Sequence, residues 1–313
     1  MEKRYKYLNA QPEGDALKVP TIMHHIWLTH PDNPREILLD LNEHGLPLSV
    51  SHLACEKAFI LENHEILAKS EDAWQHIVWV NDPVLIPETV KRLQESDIEV
   101  RCIKDYAAVI ENYALIESMV AHKLWGMASD ALRYSLLVHF GGVYTDNNFQ
   151  LFHDLSKELR TFDLLMLAVN NLLSHPGFLA VKPKHPVFQA LVYLVAQNFE
   201  GCDLDAIPQD RAVRGRLTLE LTADPLVTAY YKYAQQFGHR DVVVPMSSGL
   251  ELEIEDNYFQ FDYDFVQAYP ELDAVCPSVA KKWTIMEALE TLNISMDPRF
   301  LVGKDHVCES WLR

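Results

Sequence analysis

The most ordered pattern of apolar and polar positions in this chain lies between Ala128 and Leu151. Leu132, Leu136, Leu137 and Phe140 recur at helical spacing and give one apolar face. Asp130 and Arg133, three apart, share another face and can reach one ligand. Gly141-Gly142 ends that helix, where a left-handed turn favours glycine. Val143-Tyr144-Thr145 then reads as a short buried strand, with Asp146 and Asn148 after it. In an extended segment those two side chains point one way and Asn147 the other. A helix thus delivers one acid and one guanidinium, and a strand end delivers two oxygen ligands. This is equipment for a metal-bound, phosphate-bearing ligand, with Mg²⁺ or Mn²⁺ as the matching cation.

The pattern elsewhere predicts alternating strands and helices. Residues 1–19 are polar and are expected to form a loose arm. The stretch T-I-M-H-H-I-W-L after Pro20 alternates poorly, which marks a strand buried on both faces. His24 and His25 are neighbours on it and face opposite sides, so they read as core or strand-edge histidines rather than a metal pair. Helices are expected at 35–43 and 52–70, a strand at 77–83, a helix at 87–96 and a strand at 98–103. Helices at 114–126 and 129–140 lead into the central stretch. Beyond it, F-Q-L-F at 149–152 is expected to extend the strand, with further strands at 161–169, 177–183 and 241–246. Helices are expected at 185–199 and 211–233, the latter broken at Asp224-Pro225. The order of 247–280 is not legible, and a last helix is expected at 284–292. This alternation argues for an α/β fold with a mainly parallel sheet. Ligands of such sheets sit beyond the carboxyl ends of the strands, where Trp27, Asn81 and Asp146 all fall.

Composition narrows the function. The 313 residues carry a net charge of −18, from 27 basic and 45 acidic side chains, so nucleic acid and anionic membranes are repelled rather than bound. A hydrophobic share of 49% supports a sizeable core. Five scattered cysteines without C-x-x-C spacing indicate neither a zinc ribbon nor a disulfide framework, and suit a reducing compartment. No secretory signal and no apolar run of membrane-spanning length is legible. The expected location is therefore the cytoplasm, or a host cell reached without a cleavable signal if the chain is a bacterial effector.

The ordered set Ser129, Asp130, Arg133, Tyr134, Gly141, Gly142, Tyr144 and Asp146 resembles the nucleotide-sugar site of the DXD-motif glycosyltransferases. That family includes the large clostridial glucosylating toxins, related bacterial effectors, capsular-sugar transferases and yeast-type α-mannosyltransferases. Asn148 stands where the second Asp of the motif is usual. The resemblance implies a GT-A type fold, Rossmann-like with a mainly parallel sheet flanked by helices and additional helices, as a single domain over 1–313. It implies that Asp130 and Arg133 hold the sugar, that Arg133 counters diphosphate charge, and that Ser129, Tyr144 and Asp146 contact the nucleotide-sugar. Asp130, Arg133 and Asp146 are the catalytic candidates. The first strand resembles the family's P-x-x-I-H-x-I-W, in which the Trp, here Trp27, stacks on the nucleobase while neighbouring backbone, here Ile26, pairs with its edge. The tail K-D-H-V-C-E-S-W-L-R resembles the closing segment, where Ser310 reaches the metal or diphosphate and Trp311 covers it, making 305–313 an active-site lid. Metal ligands by this reading are Asp146, Asn148, Glu309 and Ser310, with Asp305 a further oxygen source. Segments 170–188 and 222–228 resemble parts of the cleft wall.

What the resemblance implies in function is a retaining transfer from a nucleotide-diphosphate sugar with Mn²⁺ or Mg²⁺. UDP-glucose is the first choice of donor, with UDP-N-acetylglucosamine or UDP-galactose next and GDP-mannose possible. The acceptor is a protein or a glycan, and a host protein if the chain is an effector. Three other readings stay open: a sugar-nucleotide-binding pseudoenzyme, because Asn148 removes one ligand charge; an interaction protein that keeps only the fold; and a metal phosphohydrolase, which would need more acidic ligands near D-N-N.

Overall fold

The computed structural model describes residues 7, 10–38, 58–169, 173–208, 210–245, 247–248 and 303–305. In chain order its elements are β1 (Ile22–Trp27), α1 (Ile60–Leu67), β2 (Gln75–Val80), α2 (Pro87–Glu95), β3 (Glu99–Cys102), α3 (Tyr113–Ala121), α4 (Trp125–Phe140), β4 (Gly142–Thr145) and β5 (Phe149–Leu151). Then follow α5 (Ser156–Thr161), β6 (Leu164–Val169), β7 (Leu173–Val181), α6 (Pro186–Asn198), α7 (Arg211–Thr218), α8 (Asp224–Tyr233), β8 (Asp241–Pro245), β9 (Ser247–Ser248) and β10 (Gly303–Asp305).

Seven strands form one sheet in the order β3-β2-β1-β4-β7-β6-β8. Neighbours pair in parallel except around β7, which runs antiparallel to both β4 and β6. The expectation of an α/β fold with a mainly parallel sheet flanked by helices holds, and β7 makes that sheet mixed. The poor alternation of β1 has its stated cause: Met23, His24, His25 and Ile26 are all buried, because β1 lies between β2 and β4 with layers on both faces. The main core packs α3, α4, α6 and α8 around Trp79, Tyr134, Leu179 and Tyr230, while a second core on the other side gathers Val143, Phe149, Leu165 and Phe178.

The double glycine sets the angle between α4 and β4. Gly141 has φ +65° and ψ −160°, positive but outside the left-handed helical region expected for it. A Cβ there would sit 2.5 Å from Pro183 Cδ. Gly142 has φ +99°, and its Cβ would sit 2.5 Å from Ile22 O. Two side-chain-free residues thus let α4 end flush against β1 and the end of β7.

Several boundaries differ from the sequence reading. Residues 35–38 are not helical, and α1 occupies only 60–67. α5 was not anticipated; its short S-K-E-L-R-T run carries one apolar anchor, Leu159. The stretch 10–19 is tied down rather than loose: Lys18 and Val19 donate their N–H groups to Leu159 O, and Val19 is buried. The break at Asp224-Pro225 is instead the start of α8, preceded by a wide turn of π type at Leu219–Ala223. A proline in the first turn is compatible with a helix, since its missing N–H would have no partner there. The predicted elements at 247–292, apart from β9, lie outside the described residues.

Candidate active site

α4 carries the acid and the guanidinium into the interior. Twelve of its residues are buried, including Asp130 and Arg133, because the helix lies beneath α3, α6 and the sheet. A buried guanidinium needs every N–H satisfied. Arg133 meets that demand: Nη2 pairs with Asp130 Oδ1 at 2.9 Å and reaches Ser129 Oγ at 3.3 Å. Nη1 donates to Pro176 O at 2.7 Å and pairs with Asp146 at 3.1 Å, and Nε donates to Ser129 O at 3.4 Å. The guanidinium also lies over the Tyr144 ring, 4.4 Å from its centroid. Burial opposes its charge, yet Asp146, Tyr144 and Asp130 together hold its pKa above the ordinary arginine value.

These contacts limit how Arg133 can meet a diphosphate. A bidentate grip on diphosphate requires two uncommitted N–H groups on one edge of the fork. The five N–H groups of Arg133 face five protein acceptors, so it holds Asp130 and Asp146 in place.

Asp146 follows β4 directly. Its Oδ1 accepts from the Tyr144 hydroxyl at 2.6 Å, and its N–H donates to Gly177 O at 2.8 Å. With 31% of its side chain exposed, it is the part of the cluster that faces outward. Burial pushes the Tyr144 phenol well above its usual range, so Tyr144 stays a donor to that carboxylate.

The geometry of D-N-N differs from the extended segment expected. Phe149 N donates to Asp146 O at 3.0 Å, which closes a turn over 146–149. Phe149–Leu151 does not extend β4; it joins a separate three-stranded sheet, β5-β10-β9. The relation of Asp146 to Asn148 is therefore set by a turn and not by strand alternation. Asn147 fixes that turn: its Nδ2 donates to Ile26 O at 2.9 Å, and its own carbonyl accepts from Phe59 N at 2.7 Å. Asp146 and Asn148, both half-buried, offer oxygen donors at one solvent-reachable turn. That donor chemistry fits Mg²⁺ or Mn²⁺.

Trp27 sits at the end of β1, half-buried, and its Nε1 donates to Arg35 O at 2.7 Å. Ile26 O, expected beside a base edge, is taken by Asn147. Asn81 follows β2 and locks the chain after Trp27, accepting from Thr29 N at 3.0 Å and donating to Thr29 O at 2.9 Å. The tail residues Glu309, Ser310 and Trp311 lie outside the described residues. β10, just before them, pairs antiparallel with β5, with Asp305 opposite Phe149. Asp305 is thereby brought alongside the D-N-N turn.

Two contributors were missed by the sequence reading. Thr222 Oγ1 lies 2.5 Å from Asp130 Oδ2 and 2.6 Å from Thr218 O, and Tyr134 donates to Thr222 O at 3.0 Å. Pro176 and Gly177 supply the backbone oxygens that hold Arg133 and Asp146. Both lie in the segments that resembled cleft wall, which was the available signal.

Residues 59–173 match the family described as the glycosyltransferase sugar-binding region containing the DXD motif. No curated protein sequence matches the chain. Among solved structures the chain is similar to one described as PaToxG glycosyltransferase, at 14% identity and a TM-score of 0.49, covering 94% of this chain and 92% of that one. It is similar to a transferase mutant with two cysteines replaced by serine, at 13% identity and 0.39, covering 68% and 84%. It is also similar to the UDP-bound glycosyltransferase domain of the YGT toxin, at 10% identity and 0.32, covering 71% and 68%. At these scores the structural likeness is loose, and the assignment rests on the family match. The matched segment holds Asp130, Arg133, Asp146 and Asn148, so the family likeness covers the residues that form the pocket.

Proposed function

We propose that this chain is a glycosyltransferase that moves a hexose from a UDP-sugar, UDP-glucose in the first instance, to an acceptor with retention of anomeric configuration. The observation that carries the reading is the Asp130–Arg133–Asp146 cluster at the carboxyl ends of β1 and β4, inside the matched segment. Asp130 receives sugar hydroxyls through its carboxylate oxygens. Arg133 orients both carboxylates and supplies positive potential toward the departing diphosphate. Trp27 is the stacking surface for uracil, and Tyr144 aligns Asp146. Asp146 and Asn148, with Glu309 and Ser310 from the tail, would hold Mn²⁺ or Mg²⁺, which neutralises leaving-group charge as a Lewis acid when bound. Trp311 closes over the phosphates. The acceptor is a protein or glycan, and the chain acts in the cytoplasm, of a host cell if it is an effector.

The test is donor hydrolysis. The protein is incubated with UDP-glucose, UDP-N-acetylglucosamine, UDP-galactose and GDP-mannose, each with Mn²⁺, Mg²⁺ or chelator, and released nucleoside diphosphate is measured. Metal-dependent release of UDP from one donor is the expected result. Absence of release from all donors, with no rise in melting temperature on adding UDP and Mn²⁺, would refute the reading. Absence of release with stabilisation by UDP would favour the pseudoenzyme, whose basis is the Asn148 substitution.

A further inference from the structure

At the other end of the sheet from Asp146, three side chains converge outside the site described above. His185 follows β7 and caps α6, Asp241 opens β8, and His239 arrives from the turn between α8 and β8. His185 Nε2 lies 2.9 Å from Asp241 Oδ1 and 3.1 Å from His239 Nδ1, and the three ligand atoms all lie within 4.8 Å of one another. His185 and Asp241 have no exposed side-chain surface, while His239 is half-buried and opens the cluster to solvent.

Hydrogen bonding alone serves this cluster poorly. Val187 N–H points at His185 Nδ1 at 3.3 Å, which leaves the proton of a neutral ring on Nε2. That single hydrogen then faces two acceptors, Asp241 Oδ1 and His239 Nδ1. The second oxygen of Asp241 accepts from Gln235 N. Among the described residues no lysine or arginine forms an ion pair with Asp241; Lys182 and Lys18 pair with Asp163, and Arg240 with Glu13. The Asp241 carboxylate has no exposed surface and meets the His185 imidazole at 2.9 Å, and a buried carboxylate calls for a compensating partner. The turn that delivers His239 is also costly, with Gln235 and Phe237 both in the left-handed region at φ +62° and +56°.

We propose that His185, His239 and Asp241 form a divalent-cation site of the zinc class, which pins the start of β8, the N-terminus of α6 and the 235–239 turn to one another. Two imidazole nitrogens and one carboxylate oxygen are a zinc ligand set, with metal–ligand bonds of about 2.0–2.2 Å. In a tetrahedral shell such ligand atoms lie roughly 3.3 Å apart, so the two pairs made by His185, at 2.9 and 3.1 Å, need to spread by a few tenths of an ångström, while His239 and Asp241, within 4.8 Å of each other, close toward the ion. A water entering beside His239 fills the fourth position. Coordination through Nε2 moves the His185 proton to Nδ1 and releases the long Val187 contact. The mixed nitrogen and oxygen set separates this site from the oxygen-only D-N-N turn, which suits a harder cation. The two sites are independent, and this one does not rest on the proposed transfer.

The experiment uses the full chain stripped with EDTA and titrated with Co²⁺, then with Zn²⁺. One equivalent of Co²⁺ is expected to give the intense visible absorption of a four-coordinate ion, which Zn²⁺ displaces. The band should persist in Asp146→Asn and vanish in His239→Ala and Asp241→Asn. No such band in the wild type, a band of full strength in His239→Ala, or its loss in Asp146→Asn would each overturn the proposal. A second readout needs no variant. In imidazole ¹H–¹⁵N spectra of the wild type, Zn²⁺ should convert His185 from the Nε2–H to the Nδ1–H tautomer, and an unchanged tautomer would refute coordination there.

Discussion

Burial has opposite consequences for cationic side chains in two neighbouring regions of this molecule. Under α4, Arg133 is 6% exposed and fully charged, because Asp130 and Asp146 flank it at 2.9 and 3.1 Å. Across β1 and β2, His24, His25 and His76 are just as buried, and among the described residues none of them forms an ion pair with a carboxylate. Burial drives their pKa values down, to about 4 for His24 and about 3 for His25, while Gly141 O beside His24, and Thr145 and the more distant Asp146 charge at His25, resist only in part. His76 is lowered by burial and further by His25, His64 and His24. The two regions touch, since His25 lies 3.3 Å from Thr145 Oγ1, one residue before Asp146. Arg133 keeps its charge because Asp130 on its own helix and Asp146 after β4 both supply counter-charge, and that convergence marks the site.

The largest expected effect comes from removing the cation. Arg133→Ala takes from Asp130 and Asp146 the cation they share, and truncating one member of a buried pair costs about 3–5 kcal/mol. Urea denaturation should show that loss, and donor hydrolysis should vanish. A cost near zero would mean that water reaches the pocket and that the comparison with the histidines fails.

Acidification attacks the other region. The folded-state pKa values of His24 and His25 lie below the ordinary 6.5, so between pH 6.5 and about 3–4 the unfolded chain takes up protons that the folded chain refuses. Stability should fall through that window as pH drops, by on the order of 3 kcal/mol for each histidine at its lower end. His25→Gln should flatten the decline. An unchanged pH profile in that variant would show that His25 is not held neutral.

Asp146→Ala tests the outward-facing side of the pocket. Asp130 still neutralises Arg133 in this variant, so the fold should persist. Turnover should fall by about a hundredfold or more, the scale of losing one preorganised charge at a reacting centre. Unchanged turnover would remove Asp146 from the site.

The ingredients of the pocket were legible in the sequence, but its joints were not. The i, i+3 spacing on α4 brought Asp130 and Arg133 together correctly, because helical periodicity is local. The turn at 146–149 was misread as strand, since D-N-N-F carries no glycine or proline to announce it, and Asn147 fixes it through a long-range bond to Ile26 O. The oxygens of Pro176 and Gly177 were invisible for a different reason: backbone acceptors leave no mark in residue identity. The antiparallel entry of β7 placed them there, and strand direction is set by topology rather than by pattern.

Thr222 is the clearest case of a missed joint, and it carries the smallest effect. Its hydroxyl lies within hydrogen-bonding distance of both Asp130 Oδ2 and Thr218 O, at 2.5 and 2.6 Å. The π turn at 219–223 interrupts the regular helical spacing that a sequence reading would extend through 211–233, and such turns recur at functional positions. Thr222→Val keeps the shape and removes the hydroxyl, so stability should fall by only about 1 kcal/mol. If the hydroxyl merely caps Thr218 O, donor hydrolysis should follow that small loss and KM should not move. If it orients Asp130 for a sugar hydroxyl, KM for the donor should rise severalfold while the melting transition shifts little, and Thr222→Ser should restore it. The split between KM and stability decides whether Thr222 belongs to the charged pocket or only to the helix beneath it.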